Sequence, residues 1–314
     1  LLQAFDLDPF NIMILYDIAY CYEKAGEIEN SLKFYNHYLD KEPFSENAWY
    51  NLGILYAKND DFDHAIEAFE YALAINPDFS LGYFNLGNAY SATDEYHKAI
   101  LNYQEYIKLD SESPEIFTYI GNCYENLGET DLALKYYDLA LAKNKDFSDA
   151  ISGKASIMYQ IQKYDIAIEL IKKALVIDQA NPEYHYLLGN IYNEMNKHQL
   201  ALKSYQKAYD IDPNEIDFII ALNDSYINNK HYDKAIAILS GAIKKNKKNA
   251  ALYFRLSGCY FLTRKNKPAI QFFERGLKIN PADYFEIFSV YPNAIENTAI
   301  DNLLNKYIVS RKNN

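Results

Sequence analysis

The sequence predicts an all-α fold, a solenoid of tandem helix–turn–helix repeats, and three observations predict it. A period of 34 residues runs without insertion or deletion through repeats at 12–45, 46–79, 80–113, 114–147, 148–181, 182–215, 216–249 and 250–283, which hold 272 of the 314 residues. Within a repeat the apolar positions recur three and four residues apart, the spacing of a single helical face. Two positions barely vary along the chain. Position 20 reads Ala65, Ala99, Ala133, Ala167, Ala201, Ala235 and Ala269 after Ser31, and position 11 is Tyr in every repeat except for Met158.

The repeat at 46–79 shows each element most clearly. Trp49, Leu52, Gly53 and Tyr56, at positions 4, 7, 8 and 11, form the stripe of a first helix. Phe62, Ala65, Phe69 and Ala72, at positions 17, 20, 24 and 27, form the matching stripe of a second, and Pro77 at position 32 follows it. Gly at position 8 (Gly53, Gly87, Gly121, Gly189) and Ala at position 20 are expected to let the two backbones approach closely. A mid-helix Gly costs roughly 1 kcal/mol relative to Ala, so its recurrence needs such a contact. Gly26, Gly128 or polar pairs such as Asn59-Asp60 mark the turn between the helices. Ser113-Pro114 and Asn181-Pro182 read as an N-cap followed by a first-turn proline. A helix pair this small cannot bury its apolar face alone, so neighbouring repeats must stack.

Nine residues at that spacing closely resemble the tetratricopeptide repeat (TPR). The resemblance implies a right-handed superhelix in which positions 2, 5, 6, 9, 12 and 13 of each first helix line a concave groove. On the same ruler Ala4 and Pro9 fall on positions 27 and 32, so residues 1–11 read as the second half of a truncated repeat. With no initiator Met, the chain is expected to continue N-terminally, and a leader stays open. Residues 284–314 are expected to cap the stack, with Ile295, Leu303, Leu304 and Ile308 covering the eighth repeat and Glu296, Asn297, Asp301 and Asn302 facing water.

Composition narrows the function class. The net charge of −12 argues against general nucleic-acid affinity, and no stretch approaches the roughly 18 apolar residues of a membrane span. LLQAFDLDPF lacks the basic and long apolar regions of a signal peptide, so a cytoplasmic location is expected. By repeat the charge runs −3, −6, −3, −3, 0, −2, +3 and +4. That gradient reads either as solvated outer faces or as a field that orients a dipolar partner. The basic cluster at Lys244, Lys245, Lys247 and Lys248 lies in an inter-repeat loop beside acidic repeats, a poor basis for RNA binding. Cys21, Cys123 and Cys259 share position 10, a small packing position, and are expected to be buried thiols without a disulfide. The chain holds no His-Glu-x-x-His, Cys-x-x-Cys, phosphate loop or Gly-x-Ser-x-Gly, and its six histidines scatter over different positions. No catalytic, cofactor or metal site is expected, and the chain reads as a non-enzyme.

The 31 tyrosines are mostly core, since sixteen occupy packing positions 4, 11, 17 and 24. The groove that the resemblance implies would carry Tyr16, Tyr50, Phe84, Tyr119 and Tyr186, with Asn51 and Asn85 at position 6, Asn88, Asn122 and Asn190 at position 9, and Arg255. An amide both donates and accepts, so a row of them can hold an extended backbone without reading its side chains. The asparagine ladder of O-GlcNAc transferase repeats is similar, although only Asn51 and Asn85 match it at position 6. Chaperone-adaptor members of the family grip a C-terminal carboxylate with Lys at position 5, and no repeat here has Lys there. The expected function is therefore a scaffold that holds a peptide or helical segment of another protein. The alternative is an assembly module that self-associates through an open N-terminal repeat or serves as the regulatory arm of a larger protein.

Overall fold

The computed structural model describes residues 11–309. The truncated repeat expected at 1–11 therefore lies outside the described residues, apart from its last position. The chain divides into two compact halves, one ending at Ile157 and the other beginning at Met158.

The helices follow in order: α1 (Met13–Lys24), α2 (Ile28–Leu39), α3 (Glu46–Lys58), α4 (Phe62–Ile75), α5 (Ser80–Ala92), α6 (Tyr96–Leu109), α7 (Pro114–Asn126), α8 (Thr130–Lys143) and α9 (Ser148–Gln160). They continue with α10 (Tyr164–Ile177), α11 (Pro182–Glu194), α12 (His198–Ile211), α13 (Ile216–Asn228), α14 (Tyr232–Lys245), α15 (Ala250–Leu262) and α16 (Asn266–Ile279). From the second repeat on, every first helix occupies positions 1–13 and every second helix positions 17–30. Ser113 and Asn181 cap their helices as the sequence predicts, accepting from the N–H of Ile116 and of Glu183.

Both kinds of turn have one geometry. Position 15 is left-handed in every repeat, at Gly26, Asp60, Asp94, Gly128, Gln162, Asn196, Lys230 and Arg264. Only the two glycines meet that demand without a side-chain penalty.

The recurrent glycine of the first helix answers to a side chain rather than to a backbone. A Cβ built on Gly53, Gly87, Gly121 or Gly189 would stand 2.5–2.7 Å from a ring carbon of Phe69, Tyr103, Tyr137 or Tyr205. Those rings all occupy position 24 of the same repeat, and Tyr137 is wholly buried. Where position 24 is aliphatic, at Ile171 and Leu239, position 8 is Ala155 and Asn223. Asn223 donates to the Ala235 carbonyl at 3.2 Å, but its own Oδ1 is buried without a partner.

Cys123 and Cys259 are buried, whereas Cys21 is exposed, against expectation. Position 10 packs on the preceding repeat, as in the 3.9 Å approach of Cys123 Sγ to Ser91.

The C-terminal segment comprises a 3₁₀ turn (Pro281–Phe285), α17 (Glu286–Val290), a second 3₁₀ turn (Pro292–Glu296), α18 (Thr298–Leu304) and a π turn (Asn305–Val309). Ile287, Ala294 and Ile300 are buried with Phe254, Ala269 and Phe273, and Leu303 and Leu304 pack against that cluster. Ile295 does not cover the eighth repeat. It is 69% exposed because the 3₁₀ turn directs Ala294 inward instead.

Three outcomes follow for urea unfolding. Gly121→Ala forces a Cβ onto the fixed Tyr137 ring and should lower stability by about 1–2 kcal/mol, whereas Gly241→Ala, which meets nothing within 4 Å, should raise it by about 0.5–1 kcal/mol. Lys230→Gly relieves a φ of 59° and should stabilise by about 0.5–1 kcal/mol.

Candidate interaction surface

In the N-terminal half, the expected groove residues lie along the first helices and are tied to one another from repeat to repeat. Tyr16 sits edge-on to Tyr35, with centroids 5.4 Å apart. The Asn51 amide donates to the Tyr16 hydroxyl at 2.8 Å and to that of Tyr35 at 3.2 Å. One repeat later, Asn85 donates to the Tyr50 hydroxyl and to the Leu81 carbonyl, both at 3.0 Å. That amide has two N–H groups and both are engaged, so its oxygen is left for an outside donor.

Position 9 carries a second ladder. Tyr103 donates to Asn88 at 2.8 Å, and in the C-terminal half Tyr205 donates to Asn190 at the same distance. In the fourth repeat the Tyr137 hydroxyl lies 2.8 Å from Asn122 Oδ1 and donates to Glu125 at 2.6 Å, while Ser156 donates to the other oxygen of that carboxylate at 2.5 Å. Burial pushes the Tyr103, Tyr137 and Tyr205 hydroxyls far above their ordinary range, with Glu125 adding to the shift at Tyr137. They remain protonated donors. The position-9 amides are thus first of all partners of core tyrosines. The sequence carries a signal for this: wherever Asn stands at position 9, Tyr stands at position 24 of the same repeat.

The predicted rings differ in what they offer. Tyr50 packs on Phe69 and Phe79, and Phe84 lies 5.7 Å from Tyr119, both half-buried between repeats. Tyr119 itself is 38% exposed, and Asn122 is exposed beside it. Burial raises the Tyr119 hydroxyl, with Asp149 and Glu115 contributing. Sequence reasoning missed Met13, Tyr20 and Leu81, which are large, exposed and at positions 2, 9 and 2. They occupy groove positions of the family pattern and are neither position-5 aromatics nor amides.

In the C-terminal half, Tyr186 packs on Tyr205 and Phe218. With Asn190, Tyr205, Asp217, Asp224 and Asn228 it lines a cavity of about 240 Å³. Arg255 is not on this surface as expected, for it is only 3% exposed. Its guanidinium is held between the Asp224 carboxylate of the preceding first helix and, from α17, Glu286 at 3.2 Å and Ser289 at 2.8 Å. Burial raises the Asp224 carboxyl and Arg255 partly offsets the shift.

Among the described residues no group of three or more His, Cys, Asp or Glu is arranged to hold a metal ion. None of their helices is long and apolar enough to cross a membrane.

Models of the tetratricopeptide repeat match residues 14–45, 46–79, 68–100, 120–151, 182–215 and 226–290, and a TPR repeat model matches 155–196. The chain belongs to the tetratricopeptide repeat family. None of the curated proteins matches it. Among solved structures, a chain of the APC/C hetero-tetramer Cut9–Hcn1 is similar at 15% identity and a TM-score of 0.57, over 97% of this chain and 50% of that one. This TPR chain therefore spans half of that protein's length. A thermophilic TPR protein of Thermus thermophilus, TTC0263, is similar at 20% identity and a TM-score of 0.52, over 58% of this chain and 100% of that one. At these identities the likeness is one of fold. Family and fold together support a protein-interaction scaffold as the class of function.

Tyr137→Phe keeps the ring and removes only the hydroxyl that serves Glu125. It should lower the unfolding free energy by about 1.5–3 kcal/mol in urea titrations, the range for a hydrogen bond to a charged group.

Proposed function

We propose that this TPR chain is a non-enzymatic scaffold that holds a segment of a partner protein along the row of its first helices. The observation that carries the reading is the state of the amides in the N-terminal half. Each commits one side to an internal tyrosine, and Asn85 keeps an acceptor that no group among the described residues uses. An amide held by its own core is pre-organised, so binding a partner's backbone costs little further ordering. Exposed Tyr20, Leu81 and Tyr119 on the same helix row supply apolar contact area beside those amides. A helical or an extended segment could use this arrangement, through side-chain burial or through backbone hydrogen bonds.

Tyr50 and Phe84 are unsuitable probes, because their removal would loosen the packing between repeats. The test uses the exposed residues instead. Leu81→Ala/Tyr119→Ala/Asn122→Ala should keep the helical circular dichroism of the parent chain and lose at least tenfold in recovery of its partner from lysate of the source cells. Leu101→Ala/Leu139→Ala, which trims exposed side chains of α6 and α8, should leave recovery unchanged. Equal recovery on the parent chain and the triple variant would overturn the reading.

A further inference from the structure

We infer that the cavity of the C-terminal half takes a cationic side chain, lysine or arginine, so that the partner segment is basic where it crosses this half. The inference rests on the reading that partners lie along the first helices, and it adds the chemistry of the ligand. The cavity has aromatic walls in Tyr186 and Tyr205, amides in Asn190 and Asn228, and carboxylates in Asp217 and Asp224. Aromatic faces and carboxylates together suit an ammonium or guanidinium group and disfavour an anion.

The carboxylates are more crowded than their helices require. Glu183 and Asp217 stand at position 2 of consecutive repeats, in the first turns of α11 and α13. A helix N-terminus alone would hold such an acid below its ordinary range. The Glu183 carboxyl is instead raised, by burial and then by the neighbouring charges of Glu215 and Asp217. Burial raises the Tyr186 hydroxyl, and the charges of Asp217, Glu183 and Asp224 add to the shift. Among the described residues no lysine or arginine lies within ion-pair distance of Glu183 or Asp217.

The chain itself shows what this row of carboxylates accepts. Asp224, on the cavity wall, already binds the guanidinium of Arg255. Two turns earlier on the same helix, Asp217 lines the same cavity and has no such partner among the described residues. A lysine or arginine of a bound segment would supply it.

The test titrates the full chain into three fluorescein-labelled twelve-residue peptides, alternating Ala-Arg, Ala-Gln and Ala-Glu, and reads anisotropy at 50 mM NaCl. The Arg peptide should bind at least tenfold more tightly than the Gln peptide, and the Glu peptide should not bind. Glu183→Gln/Asp217→Asn should bring the Arg and Gln peptides within twofold of each other, and Glu183→Lys/Asp217→Lys should bind the Glu peptide instead. Asp165→Asn/Glu169→Gln removes two charges from α10, away from the cavity, and should leave the tenfold preference intact. A loss as large in that control would mean attraction to net charge alone and would overturn the inference. Failure of the Arg peptide to bind at 1 mM would overturn it too. Equal binding of the Arg and Gln peptides, both weakened by Tyr186→Leu, would sink the cationic preference and leave the helix-row reading standing. Peptides indifferent to Tyr186→Leu would sink both.

Discussion

The structure depends on a ring set where a Cβ is missing. In four repeats the position-24 aromatic fills the space over a position-8 glycine at a distance no real Cβ could share. The contact fixes the separation of the two helices and the plane of the ring at once. It also accounts for glycine, costly in a helix, in the repeats with Phe69, Tyr103, Tyr137 and Tyr205 and for Ala155 in the repeat with Ile171, while the first and eighth repeats keep a buried ring, Tyr35 or Phe273, with Ala19 or Ser257 at position 8. The fit is one of paired side-chain volumes, so either residue read alone is uninformative.

The same ring links the packing of the helix pair to the amides of the first helix. Seated over glycine, Tyr103, Tyr137 and Tyr205 direct their hydroxyls to Asn88, Asn122 and Asn190 of the first helix. Phe69 has no hydroxyl to satisfy, and its repeat carries Ile54 at position 9. In the first repeat Tyr35 is served from the next helix by Asn51, and position 9 is the exposed Tyr20. Asn88 and Asn190 are therefore required by the core before any partner arrives, because a buried hydroxyl without a partner costs about 1–3 kcal/mol, whereas Tyr137 has Glu125 as its acceptor. Their remaining valence is held in one orientation by that internal bond. The amides proposed to meet a partner are thus also part of the core, and substitutions there will change stability as well.

Electrostatics divides the first-helix row into different environments. In the fourth repeat the Glu125 carboxylate is anchored by two hydroxyls, and in the C-terminal half Asp224 is anchored by a buried arginine. Among the described residues, the exposed Asp217 and Glu183 have no such anchor, and Asp217 lines the cavity.

The period, the helix spans, the caps and the stacking of repeats were legible in the sequence, because each depends on neighbours within a few residues or one repeat away. The position-15 turn was legible at Gly26 and Gly128, and only the backbone revealed that Lys230 and Arg264 adopt the same left-handed geometry. The exposure of the expected groove residues was not legible. The family pattern named a row of positions on the first helices, but it could not tell an exposed Tyr119 from a half-buried Phe84, or show that Arg255 would be closed in by Asp224, Glu286 and Ser289. Those outcomes depend on which side chain from the next repeat lies across each position. Local spacing determines the helices and their order, whereas exposure and hydrogen-bond valence are set by contacts between residues some 30 positions apart, which only the folded chain brings together.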